Sequence, residues 1–380
     1  MSRAFFAQIA SYFLSSQQDA NMLCLKITIE RWLGMFADYL LLMFTTTPRR
    51  SKALFNLLRG RRTVSTLFAG LVYQRLDQLD SWHGVPLAKF EAATGELIAA
   101  GWLSSPAAGQ LQLTTAGQAQ QAKLQQTLYL PQAWDQFQQV DVRRFEALSQ
   151  LALQVVSEAV HHQRQYYPIS TDPGLQATVK QWLRQWYRPE LGATIYQELR
   201  QFLQTVSPDL ATIFAASLTG HAFPGQTDQQ LAERFECSAI EILVIRKDLT
   251  CLWIKWLRQT NQGPLAALLR PLVKSTPVSN SAWQTYQALK VTPDLMQIAR
   301  QRHLKLSTVR EHLLEVAILM PEFPYQQLLT TARVQRLTAI FATNPAVETW
   351  QFATVSAVEP QLDFFWFRLF QIMRCHNATH

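Results

Sequence analysis

The sequence predicts a mainly α-helical protein, built from several helix-turn-helix or winged-helix-like units joined by helical connectors, with a short β-hairpin wing. Apolar residues recur at helical spacing along most of the chain, and residues that favour helix starts and stops bound these runs. One stretch, 102–113, instead alternates like a hairpin. With 380 residues, of which 48% are hydrophobic, the chain is long enough for two or three domains with buried cores.

The charge balance favours a polyanionic partner. Lys and Arg number 35 against 27 Asp and Glu, a formal net charge of +8. The cysteines Cys24, Cys237, Cys251 and Cys375 lie far apart without a C-x-x-C pair, which predicts neither a disulfide framework nor a zinc site. We therefore expect a reducing, cytoplasmic location.

The most apolar run, 32–44, is too short to span a bilayer and contains Asp38, so it predicts a buried helix and no membrane association. Residues 1–34 loosely resemble a signal peptide but lack an apolar segment followed by an A-x-A site. We expect Met35 to be an alternative start, which would make residues 1–34 an extension outside the fold.

A basic segment follows. "ALFNLLRG" predicts a helix that stops at Gly60 in the left-handed conformation, and Thr63 is placed to cap the next helix. Between residues 45 and 76 there are cations and no acid. The cations are Arg49, Arg50, Lys52, Arg59, Arg61, Arg62 and Arg75. Such a segment is either a solvated helix face or an anion-binding surface, and mutual repulsion among the cations favours anion binding.

The next segment combines a helix with the hairpin. "PLAKFEAATGELIAAG" predicts a helix that ends at Gly101, and two short strands then lead to Thr114, which should cap another helix. This order is typical of the wing of a winged helix. Because no Lys or Arg lies between Trp102 and Gly117, we favour a packing role for the hairpin.

Residues 126–205 are rich in aromatic side chains at helical spacing. Aromatics in such a pattern could stack on single-stranded bases, but they more often form core, which we favour. His161 and His162 are adjacent on a helix and point in different directions, so no metal site is predicted there.

Residues 227–249 predict a helix-turn-helix with a capping box at Thr227 and a second one at Ser238 and Glu241. The second helix is apolar almost all round over 240–245, and its cations Arg246 and Lys247, which we expect to be exposed, come late. A helix that reads a DNA groove carries its polar and basic residues at its start. This unit is therefore predicted either to pack within the protein or to form an interface with a protein partner.

Residues 292–317, "TPDLMQIARQRHLKLSTVREHLLEVA", predict another helix-turn-helix, which begins at Thr292 and turns at His303 in the left-handed conformation. Hydroxyls and cations are expected to face outward at the start of its second helix, where they could bind phosphates and base edges in a major groove. Glu311 and Glu315 do not fit this interpretation, because their carboxylates would repel phosphates. The alternative is that this unit binds only protein. The candidate DNA-binding residues of the whole chain are Arg59, Arg61, Arg62, Arg300, Arg302, Lys305, Ser307, Thr308, Arg310 and His312.

No catalytic motif is present in the sequence. The chain lacks a G-x-x-x-x-G-K-[ST] phosphate loop, a G-x-S-x-G elbow and an H-E-x-x-H helix. We therefore predict a non-enzymatic protein with no catalytic residues, no cofactor and no metal.

"DLMQIARQRHLKLSTVREHLLEVA" resembles the helicase helix-turn-helix domain found at the C-terminus of some RecQ-type helicases. Together with "RRSKALFNLLRGRRTVSTLFAGLVY", it makes residues 36–335 similar to a family of Firmicutes proteins that end in this domain and are encoded beside a RecQ-type helicase. This resemblance implies a DNA-binding accessory protein of the helicase in DNA repair or recombination, and it implies no catalytic residues. His303 departs from the usual turn glycine, and the tail after residue 344 has no counterpart in the resemblance.

Two alternatives stay open. The first is an adaptor that docks the helicase through apolar corners such as 240–245 and hardly binds DNA. The second is a helix-turn-helix transcription regulator. The expected segments are an extension (1–34), a basic winged-helix-like domain (35–125), an aromatic connector (126–205), a second helix-turn-helix unit (206–275), the helicase-type helix-turn-helix (276–335) and a tail (336–380).

Overall fold

The computed structural model describes residues 36–377, and this part of the chain is mainly helical, as predicted. The helices, in chain order, are α1 (36–41), α2 (Ser51–Leu58), α3 (Val64–Val72), α4 (Leu87–Ala99), α5 (Thr115–Thr127), α6 (Gln136–Gln139), α7 (Val142–Val160), α8 (Pro173–Trp186), α9 (Leu191–Leu203), α10 (Pro208–Ser217), α11 (Asp228–Arg234), α12 (Ala239–Thr260), α13 (Gly263–Leu269), α14 (Asn280–Val291), α15 (Leu295–Gln301), α16 (Leu306–Leu319), α17 (Thr331–Ile340), α18 (Phe352–Val358) and α19 (Phe364–Asn377). The strands are β1 (Arg49–Arg50), β2 (Leu103–Ser104) and β3 (Gln110–Leu113). Short 3-10 helices are Leu76–Gln78, Arg270–Leu272, Tyr325–Gln327 and Val347–Thr349.

The chain folds into two compact units, and each unit is built from three separate segments of the sequence. The first unit contains the described residues up to 47 together with 86–106 and 111–273, and the second contains 48–85, 107–110 and the described residues from 274 onward. The basic segment thus shares a unit with the C-terminal helix-turn-helix. The six consecutive segments expected from the sequence stay a prediction.

The core of the first unit is aromatic and centres on Trp253 of α12, which is 2% exposed. Its ring lies 5.1 Å from Phe145, 5.5 Å from Phe214 and 6.1 Å from Phe202, measured between centroids. Buried aromatic contacts of this kind remove large apolar areas from water and add a directional ring–ring attraction. The connector aromatic Phe145 is therefore core, as favoured from the sequence.

A buried carboxylate fixes the segment before α6 to α12. Asp248 is 0% exposed and accepts hydrogen bonds from the Tyr129 hydroxyl (2.6 Å) and from the backbone N–H groups of Gln132 (2.9 Å) and Ala133 (2.8 Å). Burial raises the pKa of Asp248, and these three hydrogen bonds oppose that rise. The partners lie more than a hundred residues away in sequence, so no local pattern indicates them.

The predicted hairpin is present. β2 and β3 pair antiparallel, with Leu103 opposite Leu113. Gly101 adopts a positive φ of 72° before the hairpin, and Thr114 caps α5 by accepting the Gly117 N–H at 3.0 Å. Within the second unit, the tip of the hairpin contacts the start of α2, because the Ser51 N–H donates to the Gly109 carbonyl at 3.0 Å.

The described part of the apolar run, 36–44, is helical through residue 41, and most of its side chains are buried, as predicted. Residues 32–35 and the expected extension 1–34 lie outside the described residues. Within 36–377, no helix combines the length and the apolar character that crossing a bilayer requires.

The helix-turn-helix of α11 and α12 confirms one capping box and corrects the other. Thr227 and Gln230 form the complete box. Ser238 caps α12, but the Glu241 carboxylate accepts the Tyr129 N–H at 2.9 Å instead of bonding back to the cap. A distant backbone donor therefore takes the place of the local one.

Burial confirms that α12 packs within the protein and corrects the expectation that a partner docks on 240–245, and charge pairing corrects the expectation that Arg246 is exposed. Ile240, Ile242 and Val244 are at most 1% exposed, so they form core and offer no surface on which a partner could dock. The Arg246 guanidinium bonds the Asp228 carboxylate at 2.5 Å, so this cation is not a free surface charge.

Candidate nucleic-acid interface

The C-terminal helix-turn-helix is formed by α15 and α16, and both helices pack against α14. The sequence predicted that α15 would start at Thr292, but the cap is Asp294, whose carboxylate accepts the N–H groups of Met296 (2.9 Å) and Gln297 (3.2 Å). A charged acceptor at this position also complements the helix dipole, which explains the later start.

The turn between the two helices has the predicted left-handed residue. His303 adopts φ 53°, and the following Leu304 N–H closes the turn on the Ala299 carbonyl at 2.9 Å. Ala299 is 6% exposed and Ile298 is fully buried, so the corner is tight and α15 crosses α16 closely. The start of α16 is thereby held in a fixed orientation.

The exposed residues at this corner form a polar surface. Arg300, Lys305 and Ser307 are exposed and Thr308 is half-buried, whereas the following Val309 is fully buried. The first turn of α16 contains no acid. Within residues 36–377, the Lys305 ammonium forms no ion pair with a carboxylate. We call Arg300, Lys305, Ser307 and Thr308 the corner surface.

Arg302 belongs to the internal support of the domain. Its guanidinium donates to the Ser281 carbonyl (2.7 Å), to the Gln284 side chain (2.8 Å) and to the hydroxyl of the fully buried Thr285. These contacts fasten the end of α15 to α14. The sequence placed Arg302 among the outward groups, but most of its donors are taken up inside the unit.

His312 joins the same network. Its Nδ1 lies 2.8 Å from the Thr285 hydroxyl, and the side chain is partly buried. Burial, and then the neighbouring Arg302 guanidinium, lower the pKa of His312. A neutral imidazole held to α14 contributes little to phosphate binding, because it carries no charge.

Arg310 also forms contacts within the second unit. Its guanidinium bonds the Asp363 carboxylate at 2.9 Å and lies 5.7 Å from the Phe365 ring centroid. These contacts tie α16 to the start of α19. A guanine contact by Arg310 would first have to displace Asp363.

The basic segment meets α16 through Arg62. The Arg62 guanidinium donates to the Pro277 carbonyl and lies 3.4 Å from the Glu315 carboxylate. Glu315 is 8% exposed and also accepts the Ser279 N–H (2.7 Å) and hydroxyl (3.0 Å). Glu315 therefore stabilises the fold, whereas Glu311, one turn earlier, is exposed on the outer face.

The cations of the basic segment divide into structural and surface groups. Arg49 is 8% exposed, its guanidinium donates to the Tyr73 carbonyl at 3.1 Å, and burial lowers its pKa to about 10. Arg59 and Arg61 are exposed at the corner between α2 and α3, which Gly60 (φ 78°) and the Thr63 cap form as predicted. Arg59 and Arg61 are therefore placed to contact an external anion.

Sequence reasoning missed the role of the C-terminal tail. The rings of Phe341, Trp350 and Phe370 stack, with centroids 4.2 Å and 5.6 Å apart along the series. Arg368 of α19 lies over the Phe68 ring of α3 at 3.6 Å. The density of aromatics after residue 340 was the available signal, because such side chains seldom remain together outside a core.

The described residues contain no group of three or more metal-binding side chains. The cysteines at 237, 251 and 375 are free thiols. Cys24 lies outside the described part of the chain.

Comparison with known proteins agrees with this geometry. Residues 281–371 match the model of a helix-turn-helix domain, so the match takes in most of the tail as well as α14–α16. Protein YpbB of Bacillus subtilis (strain 168) is 27% identical over 174 residues, which cover 46% of this chain and 49% of that protein. The chain therefore spans about half the length of the curated relative it matches. No solved structure matches the chain. The C-terminal region thus contains a helix-turn-helix domain, as the sequence predicted from α15 and α16.

Proposed function

We propose that the protein binds DNA through its second unit, with the corner surface at a groove or junction. The observation that carries this proposal is the start of α16, where the N-cap Lys305 and Ser307 are exposed, the first turn contains no acid and Val309 is buried. Cations and hydroxyls at the start of the second helix are what a helix-turn-helix needs to hold phosphates and reach base edges.

Arg59 and Arg61 supply a second set of phosphate contacts in the same unit. Their neighbour Arg62 bonds Glu315, which lies ten residues along α16 from Lys305. At ~1.5 Å per residue, this contact is ~15 Å from the start of the helix along its axis. Because phosphates line the duplex continuously, two basic sites on one unit can contact the same DNA molecule.

Fluorescence anisotropy of the full chain on single-stranded, duplex and forked DNA, at several salt concentrations, tests the proposal. Contacts by Arg59, Arg61, Arg300 and Lys305 correspond to four neutralised phosphates. For duplex DNA we expect a log–log salt slope of about −3.6, which is a loss of roughly 100-fold in affinity between ~0.05 and ~0.2 M salt. Absence of binding at the lower salt concentration would refute the proposal and leave the corner surface as a site for protein.

The finer part of the proposal is that the protein is a non-catalytic accessory factor of a RecQ-type helicase in DNA repair or recombination. The resemblance of the basic segment and of α15–α16 to proteins encoded beside such a helicase supports this role. The sequence also lacks a phosphate-binding loop with which it could hydrolyse ATP itself.

A helicase assay tests the finer part separately. We expect the protein to raise the rate at which a RecQ-type helicase unwinds a forked duplex, and the Arg300→Glu, Lys305→Glu double variant to abolish that increase. Stimulation that survives the double variant would favour an adaptor role. Unchanged unwinding, together with tight DNA binding, would refute the helicase role alone.

A further inference from the structure

The helix α8 in the first unit presents a basic face that the proposed function does not use. Lys180 and Arg184 are exposed and four residues apart, so they lie on one side of the helix, ~6 Å apart along its axis, and the exposed Arg188 follows just after the helix ends. Residues 173–189 contain no acid, and the nearest carboxylates in sequence, Asp172 and Glu190, flank the segment at its two ends.

The opposite side of α8 is firmly packed. Val179 is 2% exposed and Trp182 is 5% exposed, and the Trp182 indole N–H donates to the Pro264 carbonyl at 2.7 Å. In the part of the chain that the structure describes, Lys180 and Arg184 form no ion pair. The two cations are thus held outward on a rigid support, with their charge unopposed.

Two exposed tyrosines flank α8 in the chain, one before it and one after it. Tyr187 directly follows the last turn of α8 and is 58% exposed, and Tyr167 in the connection into α8 is 97% exposed. The backbone around Tyr167 is fixed by the buried Gln154, which donates to the Tyr167 carbonyl (3.0 Å) and accepts the Ile169 N–H (2.9 Å). Both rings are therefore accessible to an external flat group, and the Gln154 contacts hold the backbone at Tyr167 in place.

We propose that Lys180, Arg184, Tyr187 and Arg188, together with Tyr167, bind single-stranded nucleic acid. The cations contact successive phosphates, and the tyrosine rings stack on unpaired bases, which is the pairing of groups that proteins use on single strands. Duplex DNA would leave the tyrosines unused because its bases are already stacked. A purely acidic peptide such as polyglutamate would use the cations but has no flat rings to stack on the tyrosines.

The test uses a fluorescein-labelled oligodeoxythymidylate and a duplex of equal length, with the full chain. Lys180→Glu with Arg184→Glu is expected to weaken binding to the oligodeoxythymidylate about tenfold or more and to reduce its salt slope by about 0.7 for each phosphate that is no longer neutralised. Duplex affinity should stay within about twofold. Lys123→Glu with Lys255→Glu makes the same change in net charge at exposed positions of the first unit and serves as the control.

The tyrosines are tested by a matched pair of variants. Tyr167→Ala with Tyr187→Ala should weaken single-strand binding about tenfold at unchanged salt slope, whereas the corresponding double Phe variant should keep the affinity because it keeps the ring. Equal loss of affinity in the Ala and Phe variants, or no loss in either, would overturn the stacking proposal. So would competition by polyglutamate as strong as that by the oligodeoxythymidylate.

The experiments can refute single-strand binding by α8 without refuting duplex binding by the corner surface, and the reverse. Variants of α8 should impair single-strand binding alone, and Arg300→Glu with Lys305→Glu should impair duplex binding alone. If the α8 variants lower duplex and single-strand affinity equally, the α8 face is only a general basic surface and the proposal is overturned.

Discussion

Reversal of two charges at the corner surface, Arg300→Glu with Lys305→Glu, is expected to lower duplex DNA affinity about tenfold or more. Both side chains are exposed near the turn that leads into α16, and within residues 36–377 no hydrogen bond or ion pair joins either of them to another helix. Each phosphate that is no longer neutralised should also make the log–log salt slope less steep by about 0.9. Anisotropy titrations at several salt concentrations measure both effects.

The control for this experiment matches the change in net charge. Lys123→Glu with Lys255→Glu places the same charges at exposed positions of α5 and α12. We expect its duplex affinity to stay within about twofold of the wild type. If the control weakens duplex binding as much as the corner variant, the protein binds DNA through its overall charge and the assignment of the corner surface is wrong.

Removal of a buried carboxylate, Glu315→Ala, is expected to destabilise the second unit by on the order of 2–3 kcal/mol. The substitution leaves the Ser279 N–H without its acceptor and leaves the partly buried Arg62 guanidinium with the Pro277 carbonyl but without its counter-charge. It also removes the ion pair that joins the basic segment to α16. Thermal unfolding followed by circular dichroism should show a clearly lower Tm, and Glu315→Gln, which keeps an acceptor oxygen, should lie between Glu315→Ala and the wild type.

Glu311→Ala is the matched comparison on the same helix. Glu311 is exposed, so its removal should change stability by less than about 0.5 kcal/mol. DNA affinity should rise slightly because one negative charge leaves the outer face of α16. If Glu311→Ala lowers Tm as much as Glu315→Ala, the buried bonds of Glu315 do not stabilise the unit.

Charge reversal of Arg59 and Arg61 is a cleaner experiment than reversal of the whole basic cluster. The sequence presented Arg59, Arg61 and Arg62 as equivalent neighbours. Arg62 is bonded to Glu315, so its reversal would place two carboxylates together inside the second unit and lower DNA binding through misfolding. Only the exposed pair reports on phosphate contacts.

Features that depend on a few neighbouring residues were predictable. The Thr63 and Thr114 caps, the Thr227 capping box and the left-handed conformation at Gly60 and His303 all arise within one helical turn or one tight turn. Their hydrogen bonds join residues only a few positions apart, so the sequence pattern contains both partners. The same holds for the hairpin between Gly101 and Thr114.

The sequence predicted where the candidate site lies, but it did not predict which of the basic residues there are available to bind DNA. The exposed start of α16 follows from the helical period at Ser307, which lies about half a turn from the buried Val309, and from the position of Lys305 at the N-cap, before the first helical residue. The helical period does not show whether an outward-facing cation is solvated or is bonded to a residue of another helix. Arg302 and Arg310 have the same chemistry as Arg300, and only their partners on α14 and near α19 distinguish them.

By itself the sequence determined the helical class, the hairpin, most of the caps and turns, and the helix-turn-helix that the family match confirms. The tertiary structure alone decided that the basic segment joins the C-terminal unit, that Glu315 and Arg62 pair across 253 positions, and that Glu241 bonds Tyr129 instead of its own cap. The physical reason is the distance along the chain over which each kind of interaction acts. Local hydrogen bonds and side-chain periodicity act within a turn or two, whereas a buried charge takes whatever partner the packing of distant helices brings within reach.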